Sequence, residues 1–581
     1  MLIKPFSSCV APVFFVWTMC LINFPYGLTN CVAQESLFVE PPTIYGNPNE
    51  RVPLVAIVEF KTRINVVPEI EITDGQRTWN QPWNVPAGNH HRVAAIGLRP
   101  DHKYQIKVQV TAEDGQNETS MGMDFVTPPL PRSFPPLRTT VAIPEEMEPG
   151  ITLFAVNLWN QNSSMLDYGY IVALNNYGEV VWFMQTGDRI ADLRILDNGN
   201  LLYQQGSYRY AYEVDVLGRD VRCWWATGVT ESPGAHAIPV DVDTMHHDLM
   251  ELPNGNFLTL GTELVEFDEY PTSETDPSAP WEKAYVVCDQ ILEFDPTDGR
   301  VVDRLHLLDL LDKTRFGYMA LTGFWREKYN HSIETPSRDW SHANALLYIP
   351  EEDAVIVALR HLDCMLKIDW KTKQIKWIFG DPDGWGAPWQ KYLLKPKGDL
   401  AWPYHFHSPQ FTPHGTIMMY DNGNYRARPF NKITEATENR SRVVEFRIDE
   451  VKMTVEQLYS YDGGDSEKFY CPFYCEADWL SNDNLLITDG GHIETLDGVP
   501  FDNVPGERQW ARIFEISRPV GQPEKKVFEV VCDSPLGSQF GWSIYRAMRL
   551  PNMFHHFRLD PLAVDEKPLF FYRGPPDRKG D

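Results

Sequence analysis

Two short plans recur along this chain, and together they restrict it to a fold built from many equivalent sheets. The first plan is a strand-forming run, a tight polar turn and a second apolar strand. Its turns are Asp197-Asn-Gly-Asn200, Pro253-Asn-Gly-Asn256, Pro350-Glu-Glu-Asp353, Pro413-His-Gly-Thr416 and Ser481-Asn-Asp-Asn484. Asn-Gly and its relatives accept positive φ cheaply and so suit hairpins. The second plan is an acidic strand end, a turn, and a strand often carrying Trp or Val. It occurs six times, at Asn175 to Trp182, Val214 to Val221, Phe294 to Val302, Ile368 to Trp377, Phe446 to Val455 and Phe514 to Val530. Spacings of about 40 to 80 residues suit four-stranded blades with loop insertions. The expected class is therefore all-β, with a six-bladed β-propeller from 137 to 581 and a seven-bladed one as the geometric rival. Helical periodicity is weak, and Leu305 to Tyr329 is the best candidate for a helical insertion.

At 581 residues the chain exceeds one ordinary core, so a second domain is expected. Residues 34–131 read as a small β-sandwich of fibronectin-III or Ig type. Gly97-Leu-Arg-Pro-Asp-His-Lys-Tyr104, followed by alternating Ile106, Val108 and Val110, resembles the tyrosine corner of such domains. Thr127-Pro-Pro-Leu-Pro-Arg-Ser-Phe-Pro-Pro136 is a proline-rich exit. Residues 1–33 read as a secretory leader: Lys4, an apolar run Val10 to Phe24, and Cys31-Val32-Ala33 before Gln34. A lipoprotein site at Cys31 is an alternative. The chain is expected to be exported, periplasmic or secreted, with no integral membrane segment once the leader is removed.

Beyond the leader stand Cys223, Cys288, Cys364, Cys471, Cys475 and Cys532, an even set that permits disulfides in an exported protein. Cys471 and Cys475 could close a small loop; a zinc site built on them lacks two further ligands at a recognisable spacing. The net charge of −28 argues against nucleic acid as a partner. It also requires a local positive site for any anionic substrate.

Three stretches carry histidine on what would be innermost strands: His246 and His247, His342, and His405 and His407. On a regular strand, residues two apart share a face. His342 and Asn344 then point together, as do His405 and His407, whereas His246 and His247 point oppositely. His247 and His407 each precede a turn proline by six residues, which singles them out of their doublets. Arg360, beside His361, could offer a planar fork to a tetrahedral oxyanion. Three imidazoles could instead hold a metal, yet Asn344 and Arg360 fit a metal shell badly. Trp182 and Trp377 read as outer-blade packing.

The stretch Asp339-Trp-Ser-His342-Ala-Asn344, then Arg360-His361, Lys367-Ile-Asp369 and Lys376-Trp377-Ile-Phe-Gly380, resembles the signature region of the bacterial arylsulfate sulfotransferases. His246-His247-Asp248 with Leu252-Pro-Asn-Gly-Asn256, His407 before Asp421-Asn-Gly423, and Ser543-Ile-Tyr-Arg-Ala547 are similar to further segments of that family. The resemblance implies a β-sandwich before a six-bladed propeller. It also implies sulfuryl transfer from a phenolic sulfate donor to a phenol acceptor, independent of PAPS, with neither cofactor nor metal. His407 would be the sulfurylated nucleophile, His342, Asn344 and Arg360 would bind the sulfuryl oxygens, and His247 would be the acid/base. His405 stays open as alternate nucleophile, because Phe406 stands where the family resemblance implies a Gln-His pair, and His246 stays open beside His247. The family's disulfide near the nucleophile has no counterpart nearer in sequence than Cys471 and Cys475. A homodimer is compatible with this reading. The competing readings are an exported propeller that binds sulfated or phenolic ligands without turnover, and a metal-dependent hydrolase or lyase.

Overall fold

The computed structural model describes residues 35–553 except 84–85, 161–167, 229–231, 330–332, 334–336, 503–505, 520, 536 and 539. The expected leader, 1–33, lies outside the described residues, among which no helix is long and apolar enough to cross a membrane.

The first unit is a seven-stranded sheet arrangement whose backbone is the long strand Ala56–Thr73. The first half of this strand pairs with Thr43–Gly46 and Gly88–Ala95, and its second half with Lys103–Ala112 and Thr78–Pro82. The alternation from Tyr104 to Val110 is buried at every second residue. The tyrosine corner is present: the Arg99 backbone N–H donates to Tyr104 Oη at 2.8 Å.

Six further sheets of four or five strands follow. Their innermost strands are Ile190–Ile195, His246–Glu251, Ala343–Ile349, His407–Phe411, Glu476–Trp479 and Phe540–Leu550. Each neighbours the next, and the last neighbours the first, which closes a propeller ring around an axis. Two joins close it. The C-terminal strand Phe540–Leu550 is the inner strand of the first sheet, beside Ile151–Asn160, while Leu137–Ala142 edges the last sheet beside Lys525–Cys532.

The two sequence plans occupy fixed places in this architecture. Turns of the first plan join the inner strand to the second strand, with a left-handed residue at Gly199, Gly255, Asp353, Gly415 and Asp483. Turns of the second plan join the two outer strands of each sheet. Tryptophans of the outer strands reach the outer turn of the next sheet. Trp182 Nε1 donates to Val216 O at 3.0 Å, Trp224 Nε1 to Pro296 O at 2.9 Å, and Trp377 Nε1 to a Glu450 carboxylate oxygen at 2.9 Å. These indoles are fully buried between sheets, where a large apolar body with one satisfied donor is favoured.

The helical insertion expected over Leu305 to Tyr329 is not formed. Strand Val301–His306 runs into a single 3-10 turn, Leu307–Asp309, and the only α-helix there is Arg326–Tyr329. The apolar side chains that suggested a helix, Leu307, Leu308, Leu311, Phe316 and Tyr318, are buried individually by turns against the sheets.

Near the axis, carboxylates from three inner strands meet arginines. Arg546 of the closing strand reaches Asp192 at 2.8 Å, Asp248 at 3.1 Å and Glu476 at 3.5 Å. Arg194 reaches Asp248 at 2.8 Å. The first unit docks on the outer edge of the first two sheets through buried Arg51, which pairs with Asp220 at 3.0 Å, and through Arg77 and Arg99 on Glu179.

Removal of the corner hydroxyl tests the first unit. Tyr104→Phe leaves the buried Arg99 N–H without its acceptor and should lower stability by about 1–3 kcal/mol. The check is a lower urea midpoint with unchanged far-UV spectrum.

Candidate active site

His246, His247 and His407 lie on inner strands, whereas His342 and His405, expected there too, sit in the segments that lead into theirs, and these strands are not regular. Their ladders shift register between His246 and Leu249, between Ala343 and Ala345, and between His407 and Gln410. His247, His342, His405 and Ser408 have φ of 56°, 46°, 54° and 49°. Bulges and left-handed residues break two-residue alternation and re-aim side chains, most often beside functional sites. The facing expected from plain strands is therefore corrected in two doublets. His246 and His247 do not diverge but touch, Nδ1 to Nδ1, at 2.8 Å. His405 and His407 do not act together, because they bind separate partners.

His407 Nδ1 lies 2.7 Å from Asn422 Oδ1. The orientation of that amide follows from its other end, where Asn422 Nδ2 donates to Cys471 O at 2.9 Å and Tyr474 O at 3.2 Å. With Nδ2 turned to two carbonyls, Oδ1 must accept, so His407 carries its proton on Nδ1 and a lone pair on Nε2. His342 is tied in the same way, Nδ1 to Asp339 Oδ2 at 2.6 Å. Asp339 Oδ1 accepts from Trp325 Nε1 at 3.0 Å. Burial pushes this carboxyl up from 3.8, opposed by His361, the Trp325 donor and Arg360. His247 stacks on Tyr208 at 5.3 Å and meets His342 at 5.0 Å. Among the described residues, the Nε2 atoms of His247, His342 and His407 have no hydrogen-bond partner.

His405 is different. Its Nδ1 lies 3.1 Å from Asp363 Oδ1 and its Nε2 lies 3.2 Å from Tyr318 O. Nε2 is committed to the Tyr318 carbonyl, while Nδ1 makes no hydrogen bond among the described residues.

Arg360 opens a 3-10 turn after strand Ala354–Leu359, and its backbone N–H donates to His342 O at 3.1 Å. The guanidinium is buried. Nη1 donates to His361 Nε2 at 2.9 Å and contacts Met319 Sδ at 3.3 Å, and Nη2 donates to Pro472 O at 3.1 Å. Its Nε has no partner, and it forms no ion pair among the described residues. His361 makes this possible: Nδ1–H donates to Asp339 O at 2.9 Å, leaving Nε2 to accept from Arg360. Asn344 lies behind this group, donating through Nδ2 to Phe406 O at 2.8 Å with Oδ1 unsatisfied. It ties two inner strands together, and Tyr545 Oη donates to its carbonyl at 3.0 Å.

Burial holds His247, His342, His361 and His407 well below the ordinary 6.5, helped at His342 and His407 by the charge of Arg360. Burial also lowers Arg360 from 12.5. The site therefore combines neutral imidazoles with one cation.

Two groups have metal-ligand types close together. In Asp339, His342 and His361, both His361 nitrogens are already bonded, and the His342 and His361 rings stack at 4.5 Å and 26°. Lone pairs do not converge there on one ion. The second group adds Asp489 and His492 to Cys471, ligand types that the linear spacing hid. Its carboxylate is already taken by Arg512 at 2.7 Å and Tyr420 at 2.5 Å, which suits a closed ion pair better than a metal shell.

Asn422, Asp339 and His361 are the functional partners missed in sequence. Only weak signals mark them: Asp339 three residues before His342, His361 adjoining Arg360, and Asn422 inside Asp-Asn-Gly. The Cys471 to Cys475 loop also matters more than its position suggested. Its carbonyls at 471, 472 and 474 hold Asn422 and Arg360, and its two sulfurs lie 3.1 Å apart.

Residues 139–527 match the family model described as Arylsulfotransferase (ASST), and 43–125 match Arylsulfotransferase Ig-like domain. Arylsulfate sulfotransferase AssT of Escherichia coli is 26% identical over 343 residues, 52% of this chain and 52% of that protein. The chain thus spans about half the length of that relative. Arylsulfate sulfotransferase AssT of Lelliottia amnigena is 23% identical over 549 residues, 80% of this chain and 86% of that protein. Among solved structures, a Synechocystis apocarotenoid oxygenase mutant aligns with a TM-score of 0.30 at 10% identity, over 71% of this chain and 96% of that one. Kluyveromyces lactis Hsv2 aligns with a TM-score of 0.27 at 9% identity, over 68% and 98%. At such scores the likeness carries no argument.

The tautomers are directly measurable. With 15N-labelled histidine, His247, His342 and His407 should each read as neutral and protonated on Nδ1. They should stay neutral from pH 7.5 to 5.5, a range in which an unperturbed imidazole, titrating at about 6.5, gains its proton. Loss of Asn422 in Asn422→Leu should let the His407 proton move between nitrogens.

Proposed function

The chain belongs to the arylsulfotransferase family, and on that premise we propose that it moves a sulfuryl group from a phenolic sulfate ester to a phenol, in two steps, through His407 and without PAPS. The observation that supports this most is Arg360, a buried guanidinium with no carboxylate partner among the described residues, whose charge acts on His342 and His407. A buried, unpaired charge is costly. An anionic sulfuryl group supplies the missing counter-charge, and the planar fork matches its oxygens.

In the first step His407 Nε2 attacks sulfur. The S–O bond to the phenol breaks, and the electron pair leaves on the phenol oxygen, helped by a phenol pKa of about 10. Arg360 carries the developing charge on the sulfuryl oxygens, with His342 beside it. The Nδ1–H of His407 stays on Asn422, so the sulfurylated ring keeps its orientation. In the second step a new phenol gives its proton to His247 and attacks sulfur. The N–S bond breaks and neutral His407 is restored. His405, whose Nε2 is bonded to the Tyr318 carbonyl, serves the scaffold in this scheme, and Asn344 acts by fixing the strand that carries His407. The reaction is placed outside the cytoplasm, on the strength of the leader expected at 1–33.

The test is transfer from 4-nitrophenyl sulfate to phenol, followed by nitrophenol release. His407→Asn should lower kcat/KM at least about 1,000-fold and abolish protein-bound sulfate when phenol is withheld. Arg360→Lys should lower it about 100-fold. Because burial and Arg360 keep His407 neutral, the acid limb of the wild-type profile should lie below pH 6.5. Ligand binding with no nitrophenol release would support a non-catalytic propeller instead.

A further inference from the structure

Behind His247 stands a buried pair that the reaction scheme leaves unused. Asp289, on the sheet strand Trp281–Phe294, accepts at Oδ2 from Ser341 Oγ at 2.6 Å and from the Ala343 backbone N–H at 2.7 Å. These donors fix the carboxylate next to His342. Its other oxygen, Oδ1, lies 3.2 Å from His246 Nε2 without hydrogen-bond geometry, and among the described residues neither atom has a hydrogen-bond partner. His246 is wholly buried, with its ring edge-on to Trp325 at 5.1 Å and Tyr208 at 6.1 Å.

We infer that Asp289 and His246 form a positioning relay that holds His247 with its proton on Nδ1 and a lone pair on Nε2, making it the base for the acceptor phenol. This rests on the sulfuryl-transfer reading above. The proton count leaves one consistent arrangement. An imidazole Nε2 facing a carboxylate oxygen with no other acceptor nearby must carry the proton, since two lone pairs would repel in a dry interior. With its one proton on Nε2, the imidazole of His246 has a bare Nδ1. Among the described residues, the donor facing it is His247 Nδ1, at 2.8 Å. One proton lies between the two Nδ1 atoms and belongs to His247, so His247 Nε2 is unprotonated. His407 and His342 reach the same state by bonding to an amide oxygen and a carboxylate.

The relay bears on the second step. As the phenol oxygen bonds to sulfur and the N–S bond to His407 breaks, the phenol proton passes to His247 Nε2. The resulting imidazolium keeps its Nδ1–H on His246, with the Asp289 charge behind. Burial opposes this charge most, followed by His246, His342, His407 and Arg546. Tyr208, Phe324 and Tyr545 face the ring as aromatic walls, and the Asp339 carboxylate lies within electrostatic reach of His246.

The experiment compares two acceptors at pH 8: phenol, which must lose a proton, and a dinitrophenol, which is already ionised. His246→Phe keeps ring volume but removes both polar contacts. It should cut transfer to phenol about 100-fold and transfer to the dinitrophenolate less than about 3-fold. His246→Gln, with one acceptor and one donor, should restore phenol transfer to within about 5-fold of wild type. Asp289→Asn keeps an acceptor for Ser341 and Ala343 but turns an N–H toward His246, inverting both tautomers. It should reproduce the phenol-selective loss even if His246→Phe does not fold. Equal losses on both acceptors, or no loss, overturn the relay. A wild-type chain with no nitrophenol burst from 4-nitrophenyl sulfate overturns the sulfuryl-transfer reading and the relay with it.

Discussion

Arg546 makes the axis of this propeller tenable. Asp192, Asp248 and Glu476 come from three inner strands, and all are buried. Three carboxylates so close would repel strongly at low dielectric. Arg546, with Arg194, converts that repulsion into cross-strand ties. The balance is incomplete: burial and the neighbouring carboxylates raise Glu476 to about 7 against the pull of the two arginines. The same carboxylates also accept backbone N–H groups of adjoining inner strands, Asp192 from Leu249 at 3.0 Å and Asp248 from Leu346 at 2.8 Å. Neighbouring sheets are thus pinned to each other through charged side chains at the centre and through tryptophan N–H groups at the rim.

On this frame the reactive groups share one design. Each imidazole is tethered at Nδ1 and presents Nε2, and each tether comes from a different residue: Asn422, Asp339 and His246. Tethering fixes ring orientation and tautomer together, so no reorganisation is required when a bond forms. The left-handed backbone at His247 and His342 is part of the same design. A non-glycine residue held at positive φ is strained, and here the strain is balanced by ladder bonds on either side. His405 shares that backbone conformation but gives its Nε2 to a scaffold carbonyl. Its geometry separates it from His407 more clearly than its place in the doublet did.

Much of this was legible in the chain because repeats report on architecture. The polar turns with a left-handed Gly or Asp and the six acidic strand ends mark hairpins, and the histidine stretches run into inner strands as the hairpin count requires. The Tyr104 corner was readable because its alternation is local. What failed did so for a shared reason. The facing of each doublet was drawn from regular strands, and a bulge is invisible when its extra residue is an ordinary histidine or serine. Leu305 to Tyr329 looked helical because apolar residues buried one at a time by turns mimic a helical stripe. Asn422, Asp289 and the 471–475 carbonyls were hidden because their roles depend on contacts between sheets, which no local pattern encodes.

The closing strand, finally, sets an order in time. Tyr545 and Arg546 lie in the last strand of the ring, yet they stand at its centre, against Asn344, Asp192 and Asp248. A nascent chain that has produced every reactive histidine still has no axis until residues 540–550 leave the ribosome and add to the first sheet. The site is therefore a property of the finished chain. Any fragment ending before that strand holds the reactive histidines without the strand that closes their ring.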